Sequence, residues 1–430
     1  MLCFISVNSY AQLQISEEFK TILETSISRN VELKNRHLDL EKSSLFEKEI
    51  RSNYLPKIEA NALVTHFNSD NDFNTKGSIF RGNIVARSVL FSGLQIPHAI
   101  KANKFKMEGD QWMLKSEEEK VIFEVLQSFD QYTLLQETQR LIEASEARLA
   151  LENQKLNTAI ANGLAIPNDR EKLELAQLEL ELKKIEIKSN IDLLTDKIAY
   201  LTGLNTKEIE NTQNELAAIN PLQNDFENTE ARQELKALEA YRNAQEHLVK
   251  KERGSYLPKV AAFAGMNYTN VHEVDITTPV LPIVDNPWYF GLNEVTLGPT
   301  FYVGVGLNWQ LFSGFERKHK IEQTKVELLK IENKLNDTKE QISLQQQSKE
   351  NDYLLKQQQL KIAEQKHKIA QSNFETSTKL FQQGLIDIVE RIEAENQLIE
   401  AAFQETNAAY NLKIALYERY MANGNLASIL

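Results

Sequence analysis

Residues 315–383 contain neither Gly nor Pro, an unbroken run of 69 residues. As a single α-helix this run would extend roughly 100 Å at about 1.5 Å per residue, longer than the core of an ordinary globular domain accommodates. An alternating segment precedes it. Phe301, Val303, Val305, Leu307, Trp309 and Leu311 fall on one side, and Tyr302, Gly304, Gly306, Asn308 and Gln310 on the other. This is the period-two pattern of a strand with one apolar and one polar face. A soluble sandwich uses such a strand half-buried, so one copy of it leaves sandwich and membrane barrel both open.

The whole unit occurs twice. Leu90-Phe91-Ser92-Gly93 precedes another long helical run, 100–162, interrupted only by Gly109, just as Leu311-Phe312-Ser313-Gly314 precedes the first. His98 and His319, Gly93 and Gly314, and Gly163 and Gly384 are each separated by 221 residues. Tyr54-Leu55-Pro56-Lys57 recurs as Tyr256-Leu257-Pro258-Lys259 at a spacing of 202, so the second copy carries 19 extra residues between its two strands. Two internal repeats of one long unit account for 430 residues better than several unrelated domains do. The expected division is a signal remnant over 1–11, a first repeat over 12–204, a connector over 205–228 and a second repeat over 229–430, the repeats forming one intertwined unit.

A formal net charge of −12 argues against a nucleic-acid surface. Nowhere do eighteen apolar residues run together, which excludes a spanning helix in the mature chain but not a β-barrel, whose signal per strand is weak. The one Cys, Cys3, lies in an opening segment that reads as the end of a secretory signal, with small residues before a cut near Ala11 and without the usual basic start. Nothing points to a disulfide framework or a thiol catalyst. The seven His are scattered, and there is no His-Glu-x-x-His, phosphate loop or Gly-x-Ser-x-Gly. The chain reads as a non-enzyme without a metal or cofactor.

In chain order, 16–53 is charged and helical, with Ser16 as N-cap before Glu17 and Glu18, and Pro56 ends it. A strand over 57–67 sets Ile58, Ala60, Ala62 and Val64 against Glu59 and Asn61. A polar loop is expected over 68–77 and a return strand over 83–91, with Ile84, Ala86 and Leu90 outward and Arg87 inward. In the second copy the loop is expected over 268–299 and holds Trp288, Tyr289 and Phe290, suited to a membrane surface or to capping a barrel mouth. Val121, Leu135, Ile142, Leu149 and Leu156 form a seven-residue ladder in the first long helix. Ile321, Leu328, Leu335 and Ile342 do so in the second, which then shifts by four to Tyr353, Leu360, His367, Phe374 and Phe381, a stutter. On this ladder His367 reads as a packed histidine. Shorter return helices end near Gly203 and Gly424, and 230–253 is a further helix.

Each half is therefore a strand hairpin continued by a helical hairpin. Four strands cannot close a transmembrane barrel, which needs about eight, and an open sheet in lipid would leave unpaired backbone at both edges. The Tyr-Leu-Pro strand starts, the Leu-Phe-Ser-Gly strand exits and the Gly-Leu helix tips at Gly163 and Gly384, in duplicated order, resemble the TolC-like outer membrane efflux protein family over nearly the whole mature chain. The resemblance implies a mainly α fold in which long helical hairpins form an α-barrel and four strands per protomer contribute to a shared twelve-stranded β-barrel. It implies a homotrimer in the outer membrane with a periplasmic helical extension. It also implies a passive exit duct for tripartite efflux or type I secretion, partnered by a periplasmic adaptor and an inner-membrane transporter. A structural coiled-coil or adaptor protein without a channel is the rival, and leaves the four strands without a purpose.

The same resemblance places adaptor docking at the tips, Gly163-Leu164 and Gly384-Leu385. A bend followed by an exposed Leu would offer a partner helix an apolar contact, although a Leu after a C-cap Gly also serves merely to close the hairpin. Six residues after each tip Gly stands a carboxylate, Asp169 and Glu390, and Glu393 shares a helical face with Glu390. The segment 390–394 is similar to the family's Asp-x-x-Asp-Ala, whose acidic pair lines the narrowest ring of the tunnel. Glu390, Glu393, Asp169 and Phe381 are the expected periplasmic constriction, although Glu is equally at home on a solvated helix face. Where some family members carry a Tyr and an Arg that help close the entrance, this chain has Phe381 and Ile386. That leaves Arg391 or Arg170 to make any such closure.

Overall fold

The structure is a computed structural model that describes residues 16–70, 74–162, 166–212, 232–278, 280 and 286–429. The signal segment, Gly163, Leu164, Pro221 with most of the connector, Pro279 and Pro282 lie outside the described residues.

Helices α1 (Glu17–Arg29) and α2 (Val31–Ser52) lead into strands β1 (Lys57–Asp70) and β2 (Asn74–Phe91). A 67-residue helix α3 (Gln95–Ala161) follows, then α4 (Pro167–Thr202) and a short α5 (Thr206–Asn211). The order then recurs as α6 (Gln233–Arg253), β3 (Lys259–Thr277), β4 (Tyr289–Asn308), a second 67-residue helix α7 (Glu316–Gln382) and α8 (Ile388–Ala422). Ser16 caps α1 by accepting from the Phe19 amide, as its position before two Glu predicts. The expected single helix over 16–53 is divided at Asn30, whose side chain accepts from the Leu33 amide and so caps the second piece.

Two compact units divide the chain. One consists of 1–39, 110–238 and 334–430, the other of 40–109 and 239–333.

The second unit contains a single antiparallel sheet in the order β1-β2-β3-β4. All four strands are longer than the alternation indicated, and the loops expected over 68–77 and 268–299 are largely strand. The reason is chemical: in these stretches polar residues occupy both faces, so period-two contrast vanishes although the backbone ladder continues. Conversely β4 stops at Asn308, leaving Trp309, Gln310 and Leu311 beyond it. Trp309 Nε1 donates to the Tyr256 carbonyl at 3.0 Å, and Ser88 Oγ donates to the Tyr54 carbonyl at 2.8 Å. Residues 221 apart thus satisfy the same carbonyl of the two Tyr-Leu-Pro motifs. Gly93-Leu94 and Gly314-Phe315 both take positive φ at the strand-to-helix junctions. Gly109, the one Gly in α3, lies against Tyr241 of α6, where a Cβ would meet the ring at 2.5 Å. A helix-interior Gly costs about 1 kcal/mol relative to Ala, and here it permits the close approach of α6.

The first unit holds two apolar clusters. Phe19, Ile22 and Leu23 of α1 pack with Ile122, Val125, Leu126 and Phe129 of α3, Ile198 of α4, and Leu416, Tyr417 and Tyr420 of α8. Phe19 and Phe129 meet edge to face at 5.0 Å. Lower on the same helices, Ile142, Leu149 and Leu156 pack with Leu173, Leu180, Ile388 and Ile392. The α3 ladder is thus inward-facing, and so is that of α7, where Ile321, Ile342 and Tyr353 are buried and Leu360, Phe374 and Phe381 half-buried through the stutter. His367 lies on that ladder with Nδ1 paired to the Glu405 carboxylate of α8, as a packed histidine should.

Candidate functional site

Register assigns the strand residues to faces without ambiguity over the central sheet, because directly opposed residues share a face. Tyr302, Gly304, Gly306 and Asn308 oppose Gly265, Phe263, Ala261 and Lys259, and these continue to Val85, Arg87 and Val89 of β2 and to Lys57 and Glu59 of β1. The opposite face carries Ile58, Ala60, Ala62 and Val64, then Ile84 and Ala86, then Ala262, Ala264 and Met266, then Phe301, Val303, Val305 and Leu307. Arg87 is on the polar side, as the alternation predicts. Among the described residues nothing covers the apolar side: Val303 is 84% exposed, and Ile58, Val64, Phe301, Val305 and Leu307 are comparably bare. β1 and β4 are edge strands, each with one ladder side unpaired among the described residues.

At the α7–α8 turn, the Leu385 amide donates to the Leu380 carbonyl at 2.9 Å and the Gly384 amide to Phe381 at 3.0 Å. This pair of bonds is a Schellman termination with Gly384 (φ 73°) at C′. A Cβ there would meet nothing within 4 Å, so the positive φ alone accounts for the Gly. Leu385 remains 67% exposed. Asp387, which the sequence reading overlooked, caps α8 by accepting from the Glu390 amide at 2.9 Å; an Asp three residues before a Glu was its signal. Glu390 and Glu393 are exposed on the first turns of α8, where a carboxylate is also favoured by the helix dipole. Phe381 instead packs against the lower apolar cluster. Asp169 falls in the first turn of α4, and its side chain lies outside the described residues.

Arg391 is not free to close an entrance. It is 3% exposed, held 3.6 Å from Glu152 of α3 and 3.4 Å from Glu395 of α8, with its guanidinium over the Phe374 ring. Glu395, 1% exposed, also accepts from Arg148 Nε at 2.7 Å. Together with the half-exposed Arg148, these buried charges tie α3 to α8, and removing Arg391 would strand the buried Glu152 and Glu395 at a cost of about 3–5 kcal/mol. Arg170 is exposed. Higher in the same unit, Lys413 of α8 donates to Asp130 of α3, both buried beside Tyr417, whose hydroxyl is pushed well up by burial and by Asp130. Sequence reasoning missed both charge clusters, because their members stand hundreds of positions apart.

Two titratable groups flank these elements. Burial pushes the Glu119 carboxyl up to about 7, aided by Glu234 and opposed by the Ala427 amide, Arg232 and Gln233. Burial would raise Glu234 too, yet Arg232, 2.9 Å away, holds it below its usual range. In the sheet-containing unit, His98 and His247 meet Nδ1 to Nδ1 at 3.1 Å, and burial with Lys101 and Lys250 keeps both imidazoles below their ordinary pKa. Among the described residues no group of three His, Cys, Asp or Glu could hold a metal, and no helix is long and apolar enough to cross a membrane.

Comparison with known proteins reaches the same elements. Residues 227–424, which span α6, β3, β4, α7 and α8, match the family model of the outer membrane efflux proteins. Over this span, a little under half of its length, the chain is similar to that family. Solved structures extend the likeness across the whole fold. The outer-membrane channel OprN aligns over 95% of this chain and 90% of its own at a TM-score of 0.77 and 13% identity. CmeC of Campylobacter jejuni covers 95% and 86% at 0.75 and 13%. VceC of Vibrio cholerae covers 95% and 96% at 0.73 and 14%. No curated protein matches the sequence.

Proposed function

We propose that three copies of this chain assemble into one outer membrane exit duct. It conducts solutes passively from a periplasmic adaptor and inner-membrane pump to the exterior. The observation that carries this reading is the sheet. Among the described residues its four strands leave both edges unpaired and one face apolar and bare, a state neither water nor a lone protomer in lipid accommodates. Three copies supply twelve strands, enough to close a barrel with that face toward lipid. The 221-residue correspondence of junctions, carbonyl caps and helix ends supports an internal duplication, so each protomer contributes two equivalent hairpins.

The helical hairpins form the periplasmic tunnel. Exposed apolar positions recur along α4 (Leu175, Leu178, Leu182, Ile185) and α7 (Leu355, Ile362, Ile369) at heptad-like spacing, seams suited to neighbouring protomers. Glu390 and Glu393, with Asp169 of the first repeat, ring the periplasmic constriction. The tips dock the adaptor through Leu385 and its counterpart Leu164, whose side chains a partner helix buries. Replacing both with Asp should leave the trimer intact but abolish export and adaptor cross-linking. Normal export from an intact double-Asp trimer would place docking elsewhere.

A further inference from the structure

The polar face of the sheet has an uneven charge. Over 57–65 of β1, 79–89 of β2, 259–271 of β3 and 300–308 of β4, the charged residues on that face are Lys57, Arg81, Arg87, Lys259 and Glu59. Four cations face one carboxylate, a net +3 in a chain whose overall charge is −12. All five side chains are exposed. Lys57 stands directly opposite Arg87 in the β1–β2 ladder, a like-charge pair that destabilises a sheet. Folding alone therefore does not favour it. The remaining positions of this face within those stretches are uncharged, including Asn61, Asn83, Thr269, Thr300 and Asn308, so nothing else there neutralises the excess.

We infer that this face makes the barrel lumen anion-attracting, so that the duct favours anionic solutes. The inference rests on the exit-duct reading. In a closed trimer the excess becomes nine positive charges around one water-filled axis, the arrangement by which rings of Arg and Lys select anions. Low-dielectric walls focus that field and raise the local concentration of anions. Glu390 and Glu393 carry the opposite sign elsewhere in the chain, so the duct sorts charge at two separate places, and the barrel contribution can be measured once theirs is removed.

The test uses the full-length trimer in planar bilayers under a KCl gradient, in a Glu390→Gln/Glu393→Gln background. That background should pass chloride in preference to potassium. Adding Arg81→Gln and Arg87→Gln should lower the chloride-to-potassium ratio severalfold at 0.1 M salt. The effect should shrink sharply at 1 M, where the Debye length falls from about 10 Å to about 3 Å. If that variant fails to assemble, Lys57→Gln/Lys259→Gln serves the same comparison, and the sign of the background's reversal potential decides by itself. A potassium-preferring background, or an unchanged ratio on neutralising the cations, overturns the inference while leaving the duct intact. A trimer that conducts nothing overturns the duct reading and this inference with it.

Discussion

Glu119 is the residue whose protonation the fold alters most legibly. Its carboxyl titrates near 7 instead of the ordinary 4.5, so between those values the unfolded chain has lost a proton that the folded chain keeps. Stability therefore falls as pH rises through this window and levels off above it. The lowered pKa of His98 and His247 acts in the opposite direction, stabilising the fold above about 6.5 and less so below. Glu119→Gln isolates the first effect, since the amide keeps an acceptor for the Ala427 amide and cannot ionise. The loss of melting temperature between pH 5.5 and pH 8 should be smaller in the variant than in the parent. Identical losses would show that Glu119 is not the titrating group. None of this was legible in the sequence, where Glu119 is the last of three consecutive Glu on a helix. Its burial is created by Arg232 to Glu234 and by the chain end, more than a hundred residues away.

The strands make the sharpest prediction at the scale of an element. Val303 points out of the apolar face and Asn308 out of the polar face of one strand. Arg at Val303 should cost about 2–4 kcal/mol if that position meets hydrocarbon near the midplane and should abolish assembly, whereas Arg at Asn308 should assemble. Gly304 is a poorer control, because any side chain there displaces the Phe263 ring. Equal yields of trimer from the two Arg variants would show that neither face touches lipid. These faces were readable from alternation because apolar and polar residues strictly alternate in the band that includes 301–308. Strand ends were not, because polar side chains on both sides erase the contrast. The long helices were equally plain from the absence of Gly and Pro and from their ladders. The division at Asn30 and the cap at Asp387 depend on single side chains, and the ion chain around Glu395 on tertiary neighbours, which no local pattern encodes.

For the whole molecule, the element order recurs as the sequence spacing led one to expect, and the open sheet is the ground for proposing that several copies share one barrel. In the proposed duct, copies sharing a barrel in lipid satisfy together the apolar face and the two edges left unpaired among the described residues. Membrane fractionation followed by mass determination of the detergent-solubilised protein addresses this claim most directly. The account predicts recovery with the outer membrane as a trimer that resists dissociation until heated. Recovery of a soluble monomer would contradict it.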